Sequence, residues 1–336
     1  MSEQKRILIV RPDRIGDVVL STPLPREIKK SFPGSFVALL VRKYTRDIYL
    51  NNPFVDEILL IDEAGGSFLA KVREIRKFKF THSLTLLPTE RLNYILFLAG
   101  IPYRVGVGHK LYQFLTFTRY VDRKKYIPLR HEADYCMDLA RKIGVKAENL
   151  DTEIFLTDEE KQKVSIKRNV LLKGKKILIG IHSTSGNSSA NWKPSEYLNL
   201  IELLGKDQEI SIAVTDNKVP GELGGMVNVS YPNAGLSLRE SLINFAALDL
   251  LVSASTGPMH LAAALKVKTI SIFCPMTACS PKLWGPIGNK SKIILPEEGS
   301  CSTVCPGDPK KCSFEGDGGI NAEKVVNEIM IIKAQT

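Results

Sequence analysis

The chain predicts two parallel-sheet α/β domains, and three observations carry that prediction. Strand-like and helix-like segments alternate through both halves, the pattern of a sheet whose crossovers are helices. Two segments half a chain apart resemble each other, Lys5-Arg6-Ile7-Leu8-Ile9-Val10 and Lys175-Lys176-Ile177-Leu178-Ile179-Gly180-Ile181, and each runs into a polar loop. At 336 residues the chain also exceeds one ordinary hydrophobic core, because cores split into domains as chains lengthen.

The elements follow in order. Ile7 to Val10 is a short continuous apolar run, as buried parallel strands are. The loop Arg11 to Asp17 opens a helix, and a further helix runs through Glu27 to Lys30 until Pro33-Gly34 stops it. Strands are expected at Phe36–Val41, Glu57–Ile61 and Ser83–Leu87, with a helix from Glu90 to Ala99. Asp151 to Gly174, rich in charge and carrying a capping signature at Leu156-Thr157-Asp158-Glu159-Glu160, is the natural boundary. In the second half, helices are expected at Ser195–Leu204, Leu238–Leu248 and Pro258–Leu265, and strands at Glu209–Val214, Leu250–Val252 and Thr269–Phe273. A helical pattern at Ala322–Ile329 closes the chain. The domains are accordingly set at residues 1–160 and 175–315, with 320–336 as a terminal helix. A ligand cleft is expected between the two domains.

Composition bounds the function. The chain is 44% hydrophobic and 24% charged, and no apolar stretch reaches the ~18 residues of a membrane span. With no signal-like N-terminus, a cytoplasmic protein is expected. The net charge is +10, and the first 168 residues hold 30 Lys and Arg against 21 Asp and Glu, the remainder 16 against 15. Basic segments at Lys71–Lys79 and Arg119–Lys125 suit an anionic partner or a solvated helix face. No aromatic-interleaved motif points to nucleic acid. Six cysteines in a chain of this kind read as free thiols, and Cys301-x3-Cys305-x6-Cys312 departs from paired zinc spacing. No Asp-x-Asp pair or His/carboxylate cluster is spaced to hold a metal.

Three places can carry chemistry. Asp17 sits at the mouth of the first loop, where it can act as a base or simply cap the helix. Ser253-Ala254-Ser255-Thr256-Gly257-Pro258-Met259-His260 ends a strand in small residues and starts a helix whose amides can bind phosphate, or which is merely well capped. Ser183 to Pro194, rich in Ser, Gly and Asn, can wrap an anion or a ribose, with Lys193 neutralising a diphosphate or standing exposed.

Together these residues resemble a family. Arg14-Ile15-Gly16-Asp17-Val18-Val19 with Thr22-Pro23-Leu24-Pro25, then Ala99-Gly100-Ile101-Pro102-Tyr103-Arg104-Val105-Gly106, are similar to bacterial glycosyltransferase family nine. So are Ser237-Leu238-Arg239-Glu240 and Asp249-Leu250-Leu251-Val252 leading into Ser255 to Ala262, and the likeness keeps its order from about Lys5 to Gly288. The best-known members are ADP-heptose:lipopolysaccharide heptosyltransferases. The resemblance implies a GT-B fold of two Rossmann-like domains, the acceptor on the first and the nucleotide sugar on the second. It implies inverting transfer without metal or other cofactor, ADP-heptose as donor, and Asp17 as general base. It assigns Ser183, Thr184, Lys193, Ser255, Thr256, Gly257, Pro258, Met259 and His260 to the donor side, and Arg14, Gly16 and Arg104 to the acceptor side. Ser255 stands where many members carry Asp, and Ala190 where members usually place Lys or Arg. The basic first half suits an anionic glycolipid and peripheral contact with the inner membrane face, and the terminal helix resembles one that returns to the first domain. Two other readings share the residues: a nucleotide-sugar- or glycan-binding protein without transferase activity, and an enzyme like the UDP-sugar epimerases.

Overall fold

The computed structural model describes residues 4–62 and 67–335, apart from the side chains at 125, 303 and 304. The chain divides into two compact units, residues 1–155 and 156–336. The division falls inside the charged segment expected as the boundary, and the helix Asp158–Leu172 that follows packs on the second unit's strands.

Among the described residues, unit 1 holds six parallel strands: β1 Arg6–Val10, β2 Phe36–Val41, β3 Glu57–Leu60, β4 His82–Thr85, β5 Tyr103–Val107 and β6 Arg119–Val121. Their order is β3-β2-β1-β4-β5-β6. Ile7 to Val10 are wholly buried because β1 is central, paired in register with β2 (Ile7 beside Val37) and β4 (Ile7 beside His82). Leu8, Val10, Ala38 and Leu40 meet Ile75, Ile95 and Leu96 in one core. The helices Phe68–Lys77 and Glu90–Leu98 each begin on a side-chain cap, Ser67 and Thr89. Lys125, part of the basic segment singled out above, has its side chain outside the described residues.

Unit 2 repeats the plan with β7 Ile177–His182, β8 Ile210–Val214, β9 Val229–Ser230, β10 Leu250–Ala254, β11 Lys268–Ile272 and β12 Ser291–Ile294, in the order β12-β11-β10-β7-β8-β9. Read from β7, this is the same winding as unit 1. Gly180 lets β7 lie tight under a neighbour, since a Cβ there would collide with Leu248. The terminal helix Ala322–Ala334 belongs to the second unit. It is built into unit 2, with Val325 and Ile329 buried in that unit's core beside the helix Pro194–Gly205, and Lys333 pairing with Asp207 and Glu209. Its buried stripe is apolar and finds its partner within its own unit.

In such windings the strand order reverses at one point, and ligands bind beyond the carboxyl ends there. That point lies between β1 and β4 in unit 1, and between β7 and β10 in unit 2. The loops carrying Asp17, Ser183 and Thr256 leave these strands.

Candidate active site

In unit 1, β1 ends at Val10 and Arg11 turns back under the loop, its side chain only 2% exposed. Buried guanidinium needs acids around it, and Arg11 has three: Asp17 at 3.2 Å, Asp13 at 3.5 Å and Glu132 at 3.5 Å. Its Nε also donates to the Asp17 carbonyl at 3.1 Å. Burial opposes the Arg11 charge, but Cys136, Asp17, Glu132 and Asp13 outweigh it and raise its pKa. Glu132 comes from the start of the helix Glu132–Arg141 and accepts from the two terminal nitrogens of Arg123, at 2.7 and 3.0 Å.

Asp17 lies in the first turn of the helix Ile15–Val19, whose N-cap is Arg14, so it is not the cap. Its side chain keeps 23% exposure. Burial pushes its pKa up to about 6, with Asp13 and Glu132 adding to the rise while Arg11 and Arg123 oppose it. A carboxylate so placed is ionised at neutral pH yet basic enough to take a proton. The helix itself is anchored from below, where Tyr49 Oη meets Ser21 Oγ at 2.9 Å and donates to the Val18 carbonyl at 3.3 Å. Arg14 is exposed beside Asp17, and Gly16 is half-buried. Arg104 departs from its expected place. It sits near the amino end of β5, where its guanidinium is buried and spent on the carbonyls of Ile101 and Thr116, so it holds a turn together.

In unit 2, β10 ends in Ala254 and the helix Gly257–Ala264 starts three residues on, with Pro258 in its first turn. Thr256 is the N-cap residue, but its side chain makes no capping bond. Ser255, Gly257 and Pro258 are half-buried at the surface, whereas Met259 and His260 are buried. The loop after β7 also departs from expectation. Ser183 and Thr184 turn their hydroxyls inward to Asp216, a fully buried carboxylate just past β8. Asp216 Oδ2 accepts from Ser183 N and Oγ, both at 2.9 Å, and Oδ1 from Thr184 N and Oγ1, at 2.9 and 2.7 Å. His182 lies 3.5 Å from the same carboxylate, and its burial holds the imidazole below its ordinary pKa although Asp216 opposes this. Asn191 closes the loop by donating to the Ser183 carbonyl at 2.7 Å.

Lys193 is exposed and paired with Glu315 at 2.8 Å. Ala190 and Trp192 are core residues, the indole donating to the Ile320 carbonyl at 2.7 Å. Ser237 and Glu240 form a reciprocal cap, and Arg239 pairs with Glu160, which makes that motif a structural one. Among the described residues no group of three or more His, Cys, Asp or Glu is arranged for a metal ion, and all six cysteines are free.

The model of glycosyltransferase family 9 (heptosyltransferase) matches residues 72–312. The chain belongs to glycosyltransferase family 9. A solved family 9 glycosyl transferase from Veillonella parvula covers 100% of this chain and 99% of its own, at 21% identity and a TM-score of 0.81. Lipopolysaccharide heptosyltransferase 2 of Escherichia coli K12 is 22% identical over 86% of this chain and 87% of its own. The E. coli heptosyltransferase WaaC, solved with ADP-2-deoxy-2-fluoro heptose, covers 97% of this chain at 17% identity and a TM-score of 0.66. The fold is GT-B, as the resemblance implied, and the protein is a family 9 glycosyltransferase. The family match begins at residue 72, after Asp17, while the structural likeness extends through β1. Arg11, Glu132 and Asp216 are the residues that motif reading passed over, although Arg11 directly follows a strand and Asp216 a strand end, both positions where ligand-side residues gather.

Proposed function

We propose that the protein moves heptose from ADP-heptose, with inversion and without a metal ion, onto a hydroxyl of a lipopolysaccharide-type acceptor. The observation that carries the proposal is Asp17, a partly buried carboxylate with its pKa near 6, held on Arg11 beyond the carboxyl end of β1. The acceptor oxygen forms a bond to the anomeric carbon as the bond from that carbon to the diphosphate oxygen breaks. Asp17 takes the hydroxyl proton, and ADP leaves with the electron pair. The amides and dipole at the start of the helix Gly257–Ala264 receive the developing charge on the diphosphate. With their hydroxyls held by Asp216, Ser183 and Thr184 shape the donor loop through backbone. E. coli WaaC, named above, was solved with an ADP-heptose analogue, which supports this donor. The acceptor is an anionic glycolipid, so the protein works peripherally at the inner face of the membrane. No helix is long and apolar enough to cross it among the described residues.

The test combines ADP-heptose with a panel of truncated lipopolysaccharide acceptors, following ADP release, product mass and anomeric configuration, with and without EDTA. Acceptor-dependent release with an inverted product, unchanged by EDTA, is expected. Tight donor binding with no turnover on any acceptor overturns the transferase reading in favour of a binding protein. Retained configuration overturns the direct displacement, and loss of activity in EDTA overturns the metal-free step.

A further inference from the structure

One surface of unit 1 has its polarity reversed. The helix Leu111–Leu115 sets Leu111, Phe114 and Leu115 at the i, i+3, i+4 spacing that ordinarily marks a buried stripe. Here the stripe faces water: Leu111 is 74% exposed, Phe114 78%, and Phe117, just beyond the helix, 77%. What points inward is polar. Gln113 is buried and donates to the Val107 carbonyl at 3.1 Å, and Gly106 makes the room, since a Cβ there would come within 2.9 Å of Gln113 Nε2. Thr116 and Thr118 are buried beneath the helix with hydroxyls 3.0 Å apart, and Thr118 donates to Asn93 Oδ1 at 3.2 Å. The hydrogen bonds below fix the helix with its apolar side out, so the exposure is built in.

The exposed groups form one patch. Leu111, Phe114, Phe117 and Tyr120 line a single shallow hollow with His109 and Lys110, and the Phe117 ring lies 6.4 Å from that of Phe97, next to exposed Leu98. A cation belongs to the same hollow: Lys110 is exposed within its lining, and the first 168 residues of the chain hold 30 Lys and Arg against 21 Asp and Glu. Asp122 is the acid within this stretch and lies 3.8 Å from His109. Large apolar tips with an exposed lysine among them match the boundary between anionic headgroups and acyl chains, where each class of side chain finds its solvent. Contiguous exposed apolar surface of this kind marks an interaction site.

We infer that this face docks the protein on an anionic lipid bilayer, Leu111, Phe114 and Phe117 entering the acyl boundary and Lys110 meeting the phosphates. The inference rests on the proposal above for its purpose, bringing the enzyme to a membrane-borne acceptor, but its test does not use catalysis.

The full chain is floated with vesicles of phosphatidylethanolamine and phosphatidylglycerol, and with vesicles of phosphatidylcholine alone. Binding is expected to the first and not the second, and to weaken with salt. Phe114→Ser with Phe117→Ser is expected to cut vesicle binding at least about tenfold, because two large apolar groups no longer enter the bilayer. Lys110→Glu should weaken binding as well, and both variants should keep the wild-type melting temperature and turnover on a lipid-free acceptor. Wild-type protein that stays with the unbound fraction overturns the inference, as do variants that float like wild type. So does concentration-dependent dimerisation that the Phe pair abolishes in the absence of vesicle binding, which would make the patch an interface between copies. If no donor and acceptor turn over, flotation still reads the docking surface; if flotation fails, turnover on the lipid-free acceptor still reads the transferase.

Discussion

A carboxylate serves as a base near neutrality only where its surroundings resist its charge, and Asp17 is held in that condition by burial first and by Asp13 and Glu132 after it. The base acts ionised, so kcat/KM for transfer is expected to fall as pH drops through about 6. A profile that stays level across that range removes Asp17 from the role. The same shift has a sign in stability. Folded Asp17 keeps its proton up to about 6, against 3.8 ordinarily, so the native state binds more protons in this window and loses stability as pH rises through it. Asp17→Asn has no charge to bury. It should abolish transfer yet raise the unfolding free energy at pH 7 by about 1–3 kcal/mol, the gain disappearing toward pH 4 in urea titrations. Equal stability of the two chains at all pH values rejects the assignment of the shift. Asp17 was legible because it follows an apolar run and a glycine within one loop. Glu132 was not, since it reaches the same guanidinium from a helix far along the chain and sits in no recognisable motif.

At the scale of the element, the loop after β7 is held by a carboxylate at the end of β8. Each Asp216 oxygen accepts two donors from one residue, Oδ2 from Ser183 and Oδ1 from Thr184. Asp216→Asn turns one of those oxygens into an N–H donor facing two others. Leaving buried donors without acceptors costs about 1–3 kcal/mol per group, so a loss of stability of that order and a several-fold rise in nucleotide-sugar KM are expected. Lower stability with an unchanged KM would confine Asp216 to holding the fold. The hydroxyls of Ser183 and Thr184 looked ligand-facing in the sequence because a polar loop gives no sign of a buried acceptor elsewhere. Longer strands fared better. The run Phe36–Val41 is apolar throughout and forms β2 with those bounds, whereas β6 and β9 span three and two residues, too few for any periodicity to register. The inverted helix Leu111–Leu115 shows the limit of pattern reading, since spacing marks an apolar stripe without saying what will cover it.

Across the whole molecule, charge is divided as unevenly as the elements are evenly repeated. The first 168 residues carry nearly all of the net +10. Exposed charges are screened beyond about 8 Å at physiological salt, so raising ionic strength should increase the KM for an anionic acceptor several-fold and change that for the nucleotide sugar much less. Equal rises in both would deny the first unit a special part in capturing the acceptor. In both units the loops bearing the candidate chemistry leave the central strands β1, β7 and β10, while β3, β6, β9 and β12 lie at the margins. The reversed surface around Phe114 lies beside one of those margins, next to β6. Reaction and address are therefore written on different strands. A descendant could be retargeted to another surface by rewriting one sheet border, and a designer could splice a different docking module there, with the reacting groups left untouched.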